Sequence, residues 1–145
     1  MSATNSWAET ETVSLGRLVW VVPLATAVAV TANVIFYFII TRWFHIGLIV
    51  GGSETELWPL PVNDIIIFSV VFSLAAGFVF VVVSQLAQRP IRTYLIIAAI
   101  ALLLSFIPPL SFPSPPVAMI DKLSLVAMHI VGGIAVVAVL VRFSR

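Results

Sequence analysis

Four long runs of apolar residues divide the chain, and few polar positions interrupt them. They cover residues 18–40, 65–86, 93–107 and 123–141. The first, second and fourth runs each hold about 20 residues, enough for a helix rising 1.5 Å per residue to cross a hydrocarbon core of roughly 30 Å. The pattern therefore predicts an all-α fold with four transmembrane helices.

The third run is the shortest, and Pro108-Pro109 is expected to stop it. From Tyr94 to Ile107 a helix would span only about 21 Å. Pro90 suits the first turn of a helix, because the N–H group that proline lacks has no intrahelical partner there. We therefore expect this helix to gain a turn on its Arg92 side and to cross the bilayer.

The basic residues predict an orientation. If all four runs span, five of the seven basic residues fall on one side of the membrane, namely Arg17, Arg89, Arg92, Arg142 and Arg145. Basic residues concentrate on the cytoplasmic side of membrane proteins. The prediction is an antiparallel four-helix bundle with both termini in the cytoplasm. Residues 1–16 then form a polar N-terminal tail, and residues 17–145 form a single transmembrane domain.

The two outer connections are expected to cover the bundle as a cap or to form a docking surface. The first, Thr41 to Asn63, is long and unusually apolar, and the second, residues 108–116, is rich in proline. Ser114-Pro115 is expected to cap and open the last helix. That start would place Asp121 and Lys122 in exposed first turns.

Composition narrows the class of protein further. Apolar residues make up 61% and charged residues 9% of the chain, against roughly 45–50% and about 25% in average globular proteins. A water-soluble domain is excluded, so the lipid bilayer is the first expected partner. The net charge of +1 gives no basic footprint for nucleic acid. The absence of cysteine excludes thiolate chemistry and zinc–thiolate sites.

A layer of polar residues is predicted in the outer half of the bundle. At 1.5 Å per residue, Asn33 and His129 both lie about 9–11 Å below the outer boundary. Polar groups in a bilayer are costly and often functional. The candidate ligand-binding set combines this layer with two acids at its rim: Asn33, His129, Ser69, Ser73, Ser105, Asp64 and Asp121. In such a pocket His129 would accept a proton or a ligand.

The same residues have a structural interpretation, which we favour. Asn33, His129 and the serines can hydrogen-bond between helices and fix their packing, at about 0.6 kcal/mol for each bond on average. Small residues at helical spacing on each run also indicate close helix packing.

No specific chemistry emerges from the motifs. The outer histidines and acids show no metal-ligand spacing, and neither a nucleophile elbow nor a phosphate loop is present. We predict no catalytic residues, no metal and no cofactor. No acid lies within a span, which argues against an ordinary proton-coupled transporter.

The last helix carries a resemblance. Met128-His129 precedes Ile130-Val131-Gly132-Gly133, and the run ends in Val141-Arg142. This helix, after a proline-rich loop and a short third span, resembles a family of small four-span bacterial membrane proteins of uncharacterised function. The final span of that family often opens with Met-His and closes on arginine. The resemblance implies a multi-pass protein of the bacterial cytoplasmic membrane, with no activity to carry over.

Three functional hypotheses follow. The first is a non-enzymatic structural or accessory subunit that binds a membrane-protein partner or a second copy of itself. The second is a small-molecule binder or transporter with an outward pocket around Asn33 and His129. The third, an enzyme, would use His129 as a general base oriented by Asp64 or Asp121.

Overall fold

The computed structural model describes residues 12–51, 56–114 and 116–145. The elements in chain order are α1 (Leu15–Phe38) with a π-helical extension (Ile39–Trp43), β1 (Ile49–Val50), β2 (Trp58–Pro59), α2 (Val62–Leu86), α3 (Pro90–Leu104), α4 (Ile107–Ser111) and α5 (Met119–Phe143). Four helical segments are long and apolar enough to cross a membrane. The all-α four-helix bundle is confirmed, and the chain is a multi-pass membrane protein.

Helix α1 lies at the centre of the bundle, in contact with α2 and α5. Its buried side chains follow one another every three or four residues: Leu18, Val21, Ala25, Ala29 and Asn33. This spacing places them on one face of a helix. The part of that face from Leu18 to Ala29 packs with α2, α3 and α5 in one core. This core includes Phe80, Tyr94, Val136 and Leu140.

Close approach between α1 and α2 depends on Gly77. A Cβ atom at Gly77 would lie 2.5 Å from Val22 Cγ1 and 3.3 Å from Val22 Cβ. Real carbon atoms do not approach so closely, so only glycine permits this separation of the two helices. Small residues serve the same purpose at many helix contacts in membranes.

The third span is longer than the sequence predicts. Its α3 helix begins at Pro90, which confirms the expected extra turn. Pro108-Pro109 do not stop the helical structure, contrary to prediction. After a turn at residues 105–106 the chain enters α4, where the two prolines occupy the first turn. Proline lacks an N–H group, and the first turn of a helix does not need one. The helical segment therefore extends from Pro90 to Ser111, over 22 residues.

The start of the last helix also differs from prediction. Helix α5 begins at Met119 after Ala118, and the Ser114 hydroxyl donates to the Val117 carbonyl instead of capping the helix. Pro115 lies outside the described residues. Asp121 and Lys122 do lie in the first turn, but they are buried, not exposed.

The two connections that the sequence predicts to be on the outer side pack against one end of the bundle. Strands β1 and β2 pair antiparallel, with Ile49 opposite Pro59 and Val50 opposite Trp58. Leu48 and Val50 are buried in one cluster with Ile65 of α2 and Met128 of α5. We call the described residues of this arrangement, 46–51 and 56–60 together with Phe112, the outer cap. Glu54 of the same connection lies outside the described residues.

The other end of the bundle joins α1 to α5. The Ser14 N–H donates to the Ser144 carbonyl over 2.9 Å, and the Arg17 guanidinium donates to the Arg145 carbonyl. The Trp20 and Phe143 rings meet edge to face with centroids 6.3 Å apart. Residues near the two ends of the described chain therefore lie on one side of the bundle, as an antiparallel four-helix arrangement requires.

Candidate functional site

In the polar layer, a hydrogen bond between two described residues joins helices α1 and α2. Asn33 on α1 and Ser69 on α2 are both buried, and Asn33 Nδ2 donates to Ser69 Oγ over 2.9 Å. Asn33 Oδ1, in contrast, is buried without a hydrogen-bond partner. An unpaired buried acceptor costs about 1–3 kcal/mol. The asparagine therefore links two helices and leaves one acceptor inside the bundle.

Helix α5 meets this pair through a glycine. A Cβ atom at Gly132 would lie 2.7 Å from Asn33 Nδ2 and 3.3 Å from Asn33 Oδ1. The amide of Asn33 thus lies directly against the α5 backbone. Gly132 makes room for the amide that Ser69 binds, so the three residues form one contact among α1, α2 and α5.

The other polar residues of the layer bond to their own helices. His129 Nδ1 lies 2.7 Å from the Leu125 carbonyl oxygen. A carbonyl only accepts, so in this bond Nδ1 carries the proton and donates. Ser105 Oγ likewise donates to the Leu102 carbonyl over 2.6 Å. Among the described residues, no hydrogen bond joins His129 to Asn33.

Ser73 extends the polar side of α2. It is buried one helical turn inward from Ser69, on the same face of the helix. The two serines and Gly77 follow at intervals of four residues, so α2 presents small side chains to α1 along this face. Ser73 belongs to the predicted layer, but among the described residues Asn33 bonds to Ser69 and not to Ser73.

The two acids predicted at the rim occupy different environments. Asp64 is partly exposed in the first turn of α2. Asp121 is only 5% exposed, beside Lys122, which is 4% exposed and donates through Nζ to the Phe112 carbonyl. Asp121 lies two helical turns from His129 on α5, about 12 Å along the axis. That separation exceeds hydrogen-bond reach, so Asp121 does not orient His129.

The predicted set therefore separates into three parts. Asn33 and Ser69 are brought together, with Ser73 nearby. His129 and Ser105 bond within their own segments, and Asp121 is buried in the first turn of α5 beside Lys122. Among the described residues, no three histidines or acids come close enough to hold a metal ion. The Asn33–Ser69 bond links α1 to α2, and Asp121 lies too far along α5 to form an acid–base pair with His129.

Two surface hollows include residues outside the predicted set. One, of about 510 Å³ at the outer end, is lined by Tyr37, Thr41, Arg42 and His45 among others. His45 has a left-handed backbone with φ of 54°, which is uncommon for a residue other than glycine. This conformation was not predicted from the sequence, because histidine adopts it only occasionally.

The second hollow is a groove of about 420 Å³ between α3 and α5, at the end of the bundle where Ser14 meets Ser144. Four apolar residues and two arginines line it: Leu95, Val137, Ala138, Val141, Arg142 and Arg145. The sequence assigned the arginines to the correct end but did not indicate a groove beside them. Only the gap between two packed helices creates it.

Comparison with known proteins shows the family. No curated protein and no solved structure matches the chain. One family model, described as a family of unknown function (DUF6069), matches residues 13–145, which include all four spans and both outer connections. The resemblance of the last helix to a family without an assigned activity agrees with that match. The chain belongs to the DUF6069 family.

Proposed function

We propose that this protein is a non-enzymatic accessory subunit of the bacterial cytoplasmic membrane, which binds another membrane protein or a second copy of itself. Its five arginines at one end support an orientation with that end in the cytoplasm. The interior supports a structural role, since Asn33 and Ser69 bond to each other and His129 bonds to its own helix.

The observation that carries the proposal is the position of α3. In an apolar stretch of 18 residues within its span, 11% of the residues are buried inside the fold. The corresponding stretches of α1 and α5 have 28% and 33% of their residues buried. Its buried residues, Pro90, Ile91 and Tyr94, all lie at one end of the helix. The remaining turns leave an apolar face to be covered by lipid or by a partner helix.

The exposed part of α3 has the composition of a helix–helix interface. Ala99 and Ala101 are exposed among larger apolar residues such as Ile100 and Leu103. Without a hydrophobic driving force between helices in lipid, association depends on close packing, which small residues allow. This face therefore offers a second helix a closer approach than a surface of large side chains alone.

Cysteine cross-linking tests the proposal, because the chain has no cysteine of its own. Ala101→Cys on α3 and Ala75→Cys on α2 form a matched pair: both alanines are exposed, at equal sequence distances from the α2–α3 connection. In native membranes we expect Ala101→Cys to give a cross-linked species with itself or with a partner. A photoreactive residue at position 101 would identify a partner that lacks cysteine.

Two results would contradict the proposal. One is equal cross-linking at positions 75 and 101, which would indicate random collision in the membrane. The other is a monomeric mass in lipid nanodiscs together with no adduct at position 101 in native membranes.

One observation favours a second candidate, a small-molecule binder. Asn33 Oδ1 is buried without a partner, and a ligand with a hydrogen-bond donor would satisfy it. Ser69→Cys would then react with a water-soluble thiol reagent applied from outside, whereas Ala98→Cys, packed against the core, would not. An unreactive Ser69→Cys would leave the layer as a packing contact.

A further inference from the structure

The groove between α3 and α5 has an apolar part and a charged part. A phospholipid likewise has apolar acyl chains and a charged headgroup. Its apolar walls come from Leu95, Val137, Ala138 and Val141, and Arg142 and Arg145 line the same groove. Arg142 lies in the last turn of α5 and Arg145 lies two residues beyond its end at Phe143, so both follow the apolar residues in the chain. The apolar part is therefore the deeper part, and the guanidinium groups lie at the mouth, toward water.

The charge at this end of the bundle favours an anion. Three more arginines, Arg17, Arg89 and Arg92, belong to the same end. The described acidic residues, Glu56, Asp64 and Asp121, are all at the opposite end. The carboxyl end of α5 carries a partial negative charge equivalent to about half an electron, which opposes an anion. The five arginines at this end exceed in charge both this partial charge and the two acids of the N-terminal tail, Glu9 and Glu11.

From this geometry we infer that the α3–α5 groove binds an anionic phospholipid, with an acyl chain against the apolar walls and the phosphate between Arg142 and Arg145. Arginine suits phosphate because its planar guanidinium can donate two hydrogen bonds to one group. A groove in a membrane-spanning surface is filled by lipid in any case. The inference concerns the headgroup, which the two arginines select, and it does not depend on the proposed partner.

The inference is tested by lipid retention, measured by native mass spectrometry of the purified full chain. The probes are phosphatidylglycerol and phosphatidylcholine with identical acyl chains, and inorganic phosphate alone. We expect the chain to retain phosphatidylglycerol in preference to phosphatidylcholine. Each basic residue near a membrane surface changes anionic-lipid affinity roughly fivefold, so Arg142→Gln should reduce the preference by about that factor.

Arg89→Gln is the matched control, since it removes one exposed arginine from the same end and does not line the groove. We expect it to keep the preference. Ala138→Phe adds a steric test, because a ring at this exposed lining position would occupy the groove without changing the charge. It should lower the retention of both lipids. A thermal unfolding curve of each variant checks that it remains folded.

Three outcomes would overturn the inference. The first is equal retention of phosphatidylglycerol and phosphatidylcholine by the unsubstituted chain. The second is an equal loss of preference in Arg89→Gln and Arg142→Gln, which would indicate diffuse attraction by the whole basic end. The third is inorganic phosphate displacing the bound lipid at millimolar concentration, which would assign the arginines to a free anion.

Discussion

Helices α1 and α3 are similar in hydrophobicity and differ in their contacts with the rest of the bundle. Both are almost wholly apolar, yet α1 contacts two neighbours along its length, whereas the buried residues of α3 lie in its first turns. The contacts of α1 pass through glycines of α2 and α5, which allow side chains of α1 to touch the backbones of those helices. Hydrophobicity therefore does not distinguish a central span from a peripheral one, and close packing does.

The comparison predicts that α3 depends on a single anchor, Tyr94. Its ring is fully buried, with its centroid 4.6 Å from that of Phe80 on α2. Tyr94→Ala should lower the free energy of unfolding by about 3 kcal/mol, because it removes a buried aromatic ring. Denaturation in mixed detergent micelles measures this change.

Tyr94→Phe is the control for that prediction. The Tyr94 hydroxyl is buried without a partner, so its removal should leave stability unchanged or raise it by up to about 1 kcal/mol. A large loss of stability in Tyr94→Phe would show that the hydroxyl, and not the ring, anchors α3.

A substitution at the contact between α1 and α2 should give the next largest loss of stability. Gly77→Ala places a methyl group within 2.5 Å of Val22 Cγ1, and a valine in a helix has one strongly preferred rotamer. Overpacking costs about 1–3 kcal/mol, and the higher helix propensity of alanine returns up to about 1 kcal/mol. We expect a net loss in the same unfolding assay. Gly16→Ala is the control, since no atom lies within 4 Å of its added methyl group.

A smaller effect is expected at the contact between α1 and α5. Gly132→Ala would push against the Asn33 amide, which can rotate away at the expense of its bond to Ser69. Such bonds contribute about 0.6 kcal/mol in membrane proteins, so the loss should be near that value. Because both changes disturb one bond, Gly132→Ala and Asn33→Leu should be less than additive in a double-mutant cycle. Full additivity would refute the shared contact.

The smallest effect is predicted where α5 faces α3. The added methyl group of Gly133→Ala would meet Leu102 Cδ1 at 3.2 Å, the far end of a flexible side chain. We expect stability to stay unchanged or to rise slightly, as alanine favours a helix more than glycine. If Gly133→Ala destabilised the protein as much as Gly77→Ala, the distinction between tight and loose contacts would fail.

The candidate site was predicted in part. Counting residues from the predicted membrane boundary placed Asn33 and Ser69 in one layer, and the two side chains do form a hydrogen bond. It could not tell that His129 would donate to Leu125, because residues at one depth on a helix can point in any direction around its axis. The burial of Lys122 also escaped prediction, since it depends on the Phe112 carbonyl supplied by a distant loop.

The sequence by itself determined the four spans, the bundle and the end at which the arginines gather, because hydrophobic length and charge act locally along a chain in a membrane. Only the tertiary structure decided which span is central, that Pro108-Pro109 begin a helix, and that a groove opens beside Arg142 and Arg145. These features depend on which faces of the helices meet. In an almost uniformly apolar chain, that choice follows from side-chain shape and helix rotation, which composition and spacing leave undefined.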